Sequence, residues 1–130
     1  MKLDSITLSS VTSEVKEKIV PGKIVDIYQL SKYEILLVLK NNKSFAKLFF
    51  SVRPDRMAFF LSDSPLPSEN FTSLFFNQLK NWVQGSMLLD VEHYQFDRII
   101  KLIIRPYNRF GESKQYQLII EFMGKHSNIV

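Results

Sequence analysis

Glu34-Ile-Leu-Leu-Val-Leu-Lys40, Asn41-Asn42-Lys43 and Ser44-Phe-Ala-Lys-Leu-Phe-Phe-Ser51 form the stretch that decides the fold. Two β-rich apolar runs flank a pair of asparagines. Asn tolerates positive φ, so the pair reads as a hairpin turn and the runs as its strands. Connections this short leave no room for a crossover helix, so neighbouring strands pair antiparallel.

On the N-terminal side, Thr7 to Val20 predicts a helix, because Leu8, Val11, Val15 and Ile19 recur every three or four residues. Pro21-Gly22 stops it. Lys23 to Gln29 follows as a strand rich in Ile and Val, although its apolar positions alternate only loosely. On the other side lies a short strand, Met57 to Leu61, and then a loop, Ser62 to Asn70, holding Pro65 and Pro67. That loop is the best candidate for a linker, but apolar segments on both sides argue for one core. Leu74, Phe75, Gln78, Leu79, Trp82 and Val83 fall on one helical stripe. Ser68 or Asn70 can cap that helix, Gly85 ends it, and Trp82 is expected to pack it onto the sheet. Met87 to Gln95, Ile99 to Arg105 and Tyr116 to Met123 read as strands, with Pro106 to Gly111 as a hairpin loop. The expected fold is α+β: one domain, residues 1–130, built as an antiparallel β-sandwich or open barrel flanked by two helices.

Composition narrows the function. Eleven Phe and 45% hydrophobic residues supply a core, which excludes a disordered tail. The absence of Cys excludes disulfide scaffolds, thiol catalysis and zinc ribbons. The longest apolar run, Ile35 to Leu39, is far short of a bilayer span, and no signal-peptide core follows Met1. A cytoplasmic protein that does not enter membranes is expected. Net charge is +4, from 17 basic and 13 acidic residues, which permits an anionic partner. Lys16, Lys18, Lys23, Lys32, Lys40, Lys43 and Lys47 are scattered, so only folding can assemble a basic patch.

Catalytic arrangements are missing. His93 and His126 lie far apart, and neither a Gly-x-Ser-x-Gly turn nor a Gly-rich phosphate loop occurs. The sequence therefore points to a protein that is not an enzyme and needs neither cofactor nor metal. Two segments instead carry polar residues at strand ends. In Tyr94-Gln95-Phe96-Asp97-Arg98-Ile99 an acid and a base sit at a tight bend, either presented outward for binding or serving as an ordinary turn. In Glu121-Phe122-Met123-Gly124-Lys125-His126-Ser127-Asn128 an apolar strand runs into a cluster of donors suited to phosphate or backbone contacts, or to a plain polar loop.

Phe96-Asp97-Arg98-Ile99, with Leu118-Ile-Ile-Glu-Phe-Met-Gly-Lys-His-Ser-Asn-Ile129 and the opening Leu3-Asp4-Ser5-Ile6-Thr7-Leu8, closely resembles the N-terminal domain of the NFACT family. That family includes bacterial proteins long labelled fibronectin-binding and now associated with ribosome quality control. The resemblance covers essentially the whole chain and rests most on the terminal Glu-x-Met-Gly-Lys-His-Ser-Asn-Ile string. It implies an RNA-binding module from a protein several times longer. Such proteins bind obstructed large ribosomal subunits and recruit alanyl-tRNA, so that alanine tails mark the stalled peptide. It also implies that Asp4, Asp97 and Arg98 are needed for tailing, with Lys125, His126, Ser127 and Asn128 beside them as RNA contacts. The historical label supplies the alternative, a surface adhesin for fibronectin or fibrinogen. The same resemblance implies a fold similar to the N-terminal domain of formamidopyrimidine-type DNA glycosylases, without their chemistry. Those enzymes need an N-terminal Pro followed by Glu, and here the chain begins Met1-Lys2. Two departures from the family pattern weaken affinity more than fold. Leu79-Lys80-Asn81 stands in place of a more basic stretch, and Lys125 stands where Arg is common and cannot match its bidentate contacts.

Overall fold

The protein is seen in a computed structural model that describes residues 5–67, 73–94, 98–106, 115–122 and 128–129. Helix α1 (Ser5–Ile19) buries Leu8, Val15 and Ile19 completely. Thr12 completes that stripe by donating its Oγ1 to the Leu8 carbonyl at 2.7 Å. Four strands follow: β1 (Gly22–Ser31), β2 (Glu34–Lys40), β3 (Phe45–Arg53) and β4 (Arg56–Leu61). After helix α2 (Leu74–Val83) come β5 (Met87–His93), β6 (Ile99–Arg105), β7 (Tyr116–Glu121) and the two-residue β8 (Asn128–Ile129).

The strands form one sheet of order β4-β3-β2-β1-β5-β6-β7-β8, with every pair antiparallel. The two halves are joined narrowly, through the pairs Gly22↔Leu88 and Lys23↔Met87 and the backbone hydrogen bonds from Ile24 N–H to the Ser86 carbonyl and from Gly85 N–H to the Ile24 carbonyl. Both joining strands carry an irregularity just beyond that seam, between Ile24 and Asp26 and between Leu88 and Asp90. Bulges bend strands. Here the sheet doubles over, and Phe59 of β4 meets Phe122 just past β7 with ring centroids 6.1 Å apart. The core lies between the halves: Ile24, Ile27, Leu37, Leu48 and Phe50 from one, Leu88, Val91, Ile100, Leu102 and Ile120 from the other. Helix α1 lies against β4 and β5, and α2 against β1.

The irregularity in β1 explains its loose alternation, because one extra residue lets Ile24 and Ile27 face the same core. The asparagine turn forms as expected, by a local device. Asn41 Oδ1 accepts from the backbone N–H of Lys43 at 2.9 Å and of Ser44 at 2.7 Å, and Asn41 N–H donates to the Ser44 carbonyl.

Three expectations change. The cap of α2 is Ser73, whose Oγ accepts from Phe76 N–H at 3.1 Å and donates to Gln29 Oε1 at 3.0 Å. Ser68 and Asn70 lie outside the described residues. Trp82 does not pack α2 onto the sheet. Phe76 and Val83 are buried and Leu79 partly so, whereas Trp82 is 58% exposed. The helix carries two overlapping apolar stripes, and the one through Phe76, Leu79 and Val83 wins the core. The segment after Phe122 is more than a polar loop, since Asn128 and Ile129 pair with Glu121 and Ile120.

Candidate nucleic-acid interface

Antiparallel pairing brings together the two segments singled out in the sequence. Ile99 at the start of β6 pairs with Glu121 at the end of β7, and Glu121 pairs with Asn128 on β8. Arg98 leads directly into β6. Its carbonyl accepts the Phe122 N–H at 2.8 Å, so the backbone of Arg98 is fixed and its half-buried side chain is spared a structural task in that bond. Asp4, Asp97, Lys125, His126 and Ser127 fall outside the described residues, and Asn128 is placed by its backbone pairing. Around Arg98 the same end of the sheet holds a polar group of residues. Lys101 Nζ stands 4.8 Å from the centre of the Tyr94 ring, a cation–π contact. His93 Nδ1 lies 2.7 Å from Ser9 Oγ of α1. His93 thus ties the end of β5 to α1.

Folding does gather lysines, but away from Arg98. Cross-strand pairing sets Lys40 opposite Lys23, Lys23 opposite Met87, and Met87 opposite Arg105. Paired residues on neighbouring strands point the same way, so Lys40, Lys23 and Arg105 share a row across β2, β1, β5 and β6. The row spans three strand spacings of roughly 4.8 Å. Asn41 Nδ2 reaches the Lys18 carbonyl at 3.5 Å, which brings the β2–β3 turn, with Lys43, to the end of α1. Lys18, Lys23, Lys40, Lys43 and Arg105 are all exposed. Among the described residues none of these five cations is in an ion pair. Like charges directly opposite one another cost stability. This face nevertheless keeps Lys23 directly against Lys40 with no acid paired to either among the described residues. Sequence reasoning missed this row, because its members lie far apart in the chain and only register aligns them.

Other cations are committed elsewhere. Lys16 pairs with Asp90 at 3.7 Å, Lys80 with Asp26 at 4.0 Å, and Lys47 Nζ donates to the Ser64 carbonyl. Arg53 makes two hydrogen bonds to Asp55, at 3.1 and 3.0 Å, and holds its carboxyl below the ordinary range. Asp26 also lies beside Tyr28, whose phenol it pushes above its usual value, mainly by accepting its hydrogen bond. No group of three or more His, Asp or Glu suited to a metal ion occurs among the described residues. No described helix is long and apolar enough to cross a membrane.

The family profile of the NFACT N-terminal and middle domains matches residues 4–130. The chain is 30% identical to the Rqc2 homolog RqcH of Streptococcus pneumoniae over 130 residues, all of this chain and 24% of that protein. It is 26% identical to the Rqc2 homolog RqcH of Bacillus subtilis, covering 23% of it. The chain thus spans about a quarter of the length of these relatives. Among solved structures, it superposes on the N-terminal domain of fibronectin-binding protein PavA from S. pneumoniae with a TM-score of 0.88 and 30% identity, covering 98% of this chain and 48% of that one. The N-terminal part of the fibronectin/fibrinogen-binding protein of Streptococcus suis gives a TM-score of 0.89 and 28% identity, with the same coverage.

Proposed function

Because the chain belongs to the family of NFACT N-terminal and middle domains, we propose that it is the RNA-binding module of a ribosome quality control factor, acting without enzymatic chemistry of its own in the cytoplasm. In this reading it engages tRNA on obstructed large ribosomal subunits, in support of alanine tailing of stalled peptides by the longer protein. The observation that carries the reading is the row Lys40–Lys23–Arg105, extended by Lys18 and Lys43 and left without acidic partners among the described residues. Such a row neutralises phosphates regardless of sequence and positions an RNA without reading it. Arg98, at the far end of β6, supplies a planar guanidinium for a phosphate or a base edge. Asp4, Asp97, Lys125, His126, Ser127 and Asn128 complete the proposed contacts. The fold likeness to the N-terminal domain of formamidopyrimidine-type glycosylases belongs to the same proposal.

The test is sedimentation with purified large ribosomal subunits at low and moderate salt. The wild-type chain co-sediments at low salt. A Lys23→Glu/Lys40→Glu variant, changed on the exposed face, stays in the supernatant. Equal sedimentation of both proteins would sink the reading. A second reading, binding of fibronectin, is favoured by the names of the two solved neighbours and predicts capture on immobilised fibronectin that the same charge reversal leaves unchanged.

A further inference from the structure

The basic row ends on an aromatic residue. Lys40 of β2 stands opposite Lys23 on one side and opposite Phe45, the first residue of β3, on the other. Paired residues point the same way, so Phe45, Lys40, Lys23, Met87 and Arg105 follow one another on one sheet face, across four strand spacings of roughly 4.8 Å. Burial confirms which face this is. Ala46, Leu39, Ile24, Leu88 and Ile104, each next in sequence to a member of the row, are buried in the core on the opposite side. Phe45 is 52% exposed, and among the described residues its ring meets no other ring or cation. The other exposed aromatics are mostly engaged: Phe60 leans on Phe49, Tyr33 and Tyr94 carry lysines, and Trp82 meets Tyr116. Phe75, also without a ring partner, stands on α2 and not in this row.

We infer that Phe45 stacks one unpaired base of a single-stranded RNA whose phosphates lie along Lys40, Lys23 and Arg105. The inference rests on the RNA-binding reading above and deepens it, from phosphate binding to single-strand binding. A sheet face that sets an open aromatic ring in line with cations holds bases by stacking and the backbone by charge. Two observations favour a nucleic acid over a protein segment. The cations of the row stand on β2, β1 and β6, each hydrogen-bonded to a strand on both sides, so the row has no strand edge to which a peptide could add. Lys18, Lys23, Lys40, Lys43 and Arg105 make no ion pair among the described residues, and so many free cations suit a polyanion. In the next row of the same face, Lys47 is opposite Val38 and Val38 opposite Asp26. That acid is held by Lys80 at 4.0 Å, so on this side the row meets no uncommitted carboxylate.

The test compares two polyanions that differ only in their bases. The 130-residue chain is titrated at low salt with labelled hexaadenylate and, separately, with a labelled abasic ribose-phosphate hexamer, and binding is read by anisotropy. Hexaadenylate should bind more tightly. Phe45→Ala should weaken hexaadenylate binding roughly 5- to 100-fold while leaving the abasic hexamer and the melting temperature unchanged. Phe45→Trp should keep hexaadenylate binding, and Phe45→Leu, which fills the position without a ring, should lose it as Ala does. The Trp and Leu variants thus carry the test even if Ala lowers the melting temperature. Lys23→Glu/Lys40→Glu should weaken both oligomers. Wild-type affinity of the Ala and Leu variants, or equal losses on the two oligomers, would overturn stacking at Phe45 while sparing the RNA-binding reading. Binding of neither oligomer would end both. Hexaglutamate bound as tightly as hexaadenylate, with the same loss on Phe45→Ala, would overturn the inference and make the row a site for acidic protein segments.

Discussion

Phe122, just past β7, and Phe59 of β4 belong to ends of the sheet order six places apart, yet their rings lie 6.1 Å apart and both are buried. This contact is where the doubled sheet closes on itself. Between the halves it does what a hydrogen-bonded ladder does within each, since the seam of β1 and β5 supplies only two residue pairs.

Replacing Phe122 by Ala should therefore cost about 3–5 kcal/mol, as for other buried Phe truncations. Urea denaturation followed by far-ultraviolet circular dichroism measures it. A loss below about 1 kcal/mol would mean that the halves are held together elsewhere.

Two glycines separate steric from conformational demand. A Cβ at Gly22 would collide with the Ile19 carbonyl oxygen, where the end of α1 crosses the start of β1. At Gly85 there is open space, but φ is +85° and its N–H holds the Ile24 carbonyl at 2.7 Å. Gly85→Ala should cost about 1–2 kcal/mol through backbone strain alone. Gly22→Ala should cost more, because backbone must move. Equal denaturation midpoints for the two variants would contradict this ordering.

Much of this fold is legible from local patterns, and the misses share a cause. The hairpin through Asn41 and the stripe Leu8–Val15–Ile19 depend on neighbours in sequence, so they can be read there. Trp82 could not be placed, because α2 carries two apolar stripes and only the position of β1 selects between them. The row Lys40–Lys23–Arg105 depends on register among four strands, which no single stretch encodes. Of the candidate site, Arg98 and Asn128 could be traced to one end of the sheet because each adjoins a clear strand. Asp4, Asp97, Lys125, His126 and Ser127 rest on resemblance alone.

The exposure of Trp82 has a direct consequence for stability. Trp82→Ala loses an edge-to-face contact with Tyr116 and partial burial, so about 1 kcal/mol is expected, well below the cost at Phe122. Thermal melting of the two variants side by side decides it. Comparable losses would place Trp82 in the core after all.

Asp55 should report the pH dependence of the β3–β4 turn. Its carboxyl is held below its ordinary value of 3.8, first by the hydrogen bonds from Arg53 and then by its own backbone. A lowered folded value favours the folded state above 3.8, and that advantage fades as pH falls through the depressed value. Asp55 is exposed, so salt screens the effect. The midpoint difference between wild type and Asp55→Asn should be small at neutral pH, vanish in acid and shrink in high salt. A difference that grows on acidification has the wrong sign for this pair.

The number of phosphates held by the basic row can be counted through salt. Each phosphate neutralised on a single strand contributes about −0.7 to the slope of log affinity against log salt. If Lys18, Lys23, Lys40, Lys43 and Arg105 do not all engage at once, three or four contacts give a slope of roughly −2 to −3. Reversing Lys23 and Lys40 should remove two of them and flatten the slope by about 1.4. Arg98→Ala, at the other end of β6, should weaken binding to the large subunit with a near-normal melting temperature, since only its backbone holds Phe122. Titration of a labelled single strand at several salt concentrations, with these three proteins, provides the measurement. A slope unchanged by the double reversal would place the phosphate contacts off this face, and a slope near zero in the wild type would leave the lysines to solvent alone.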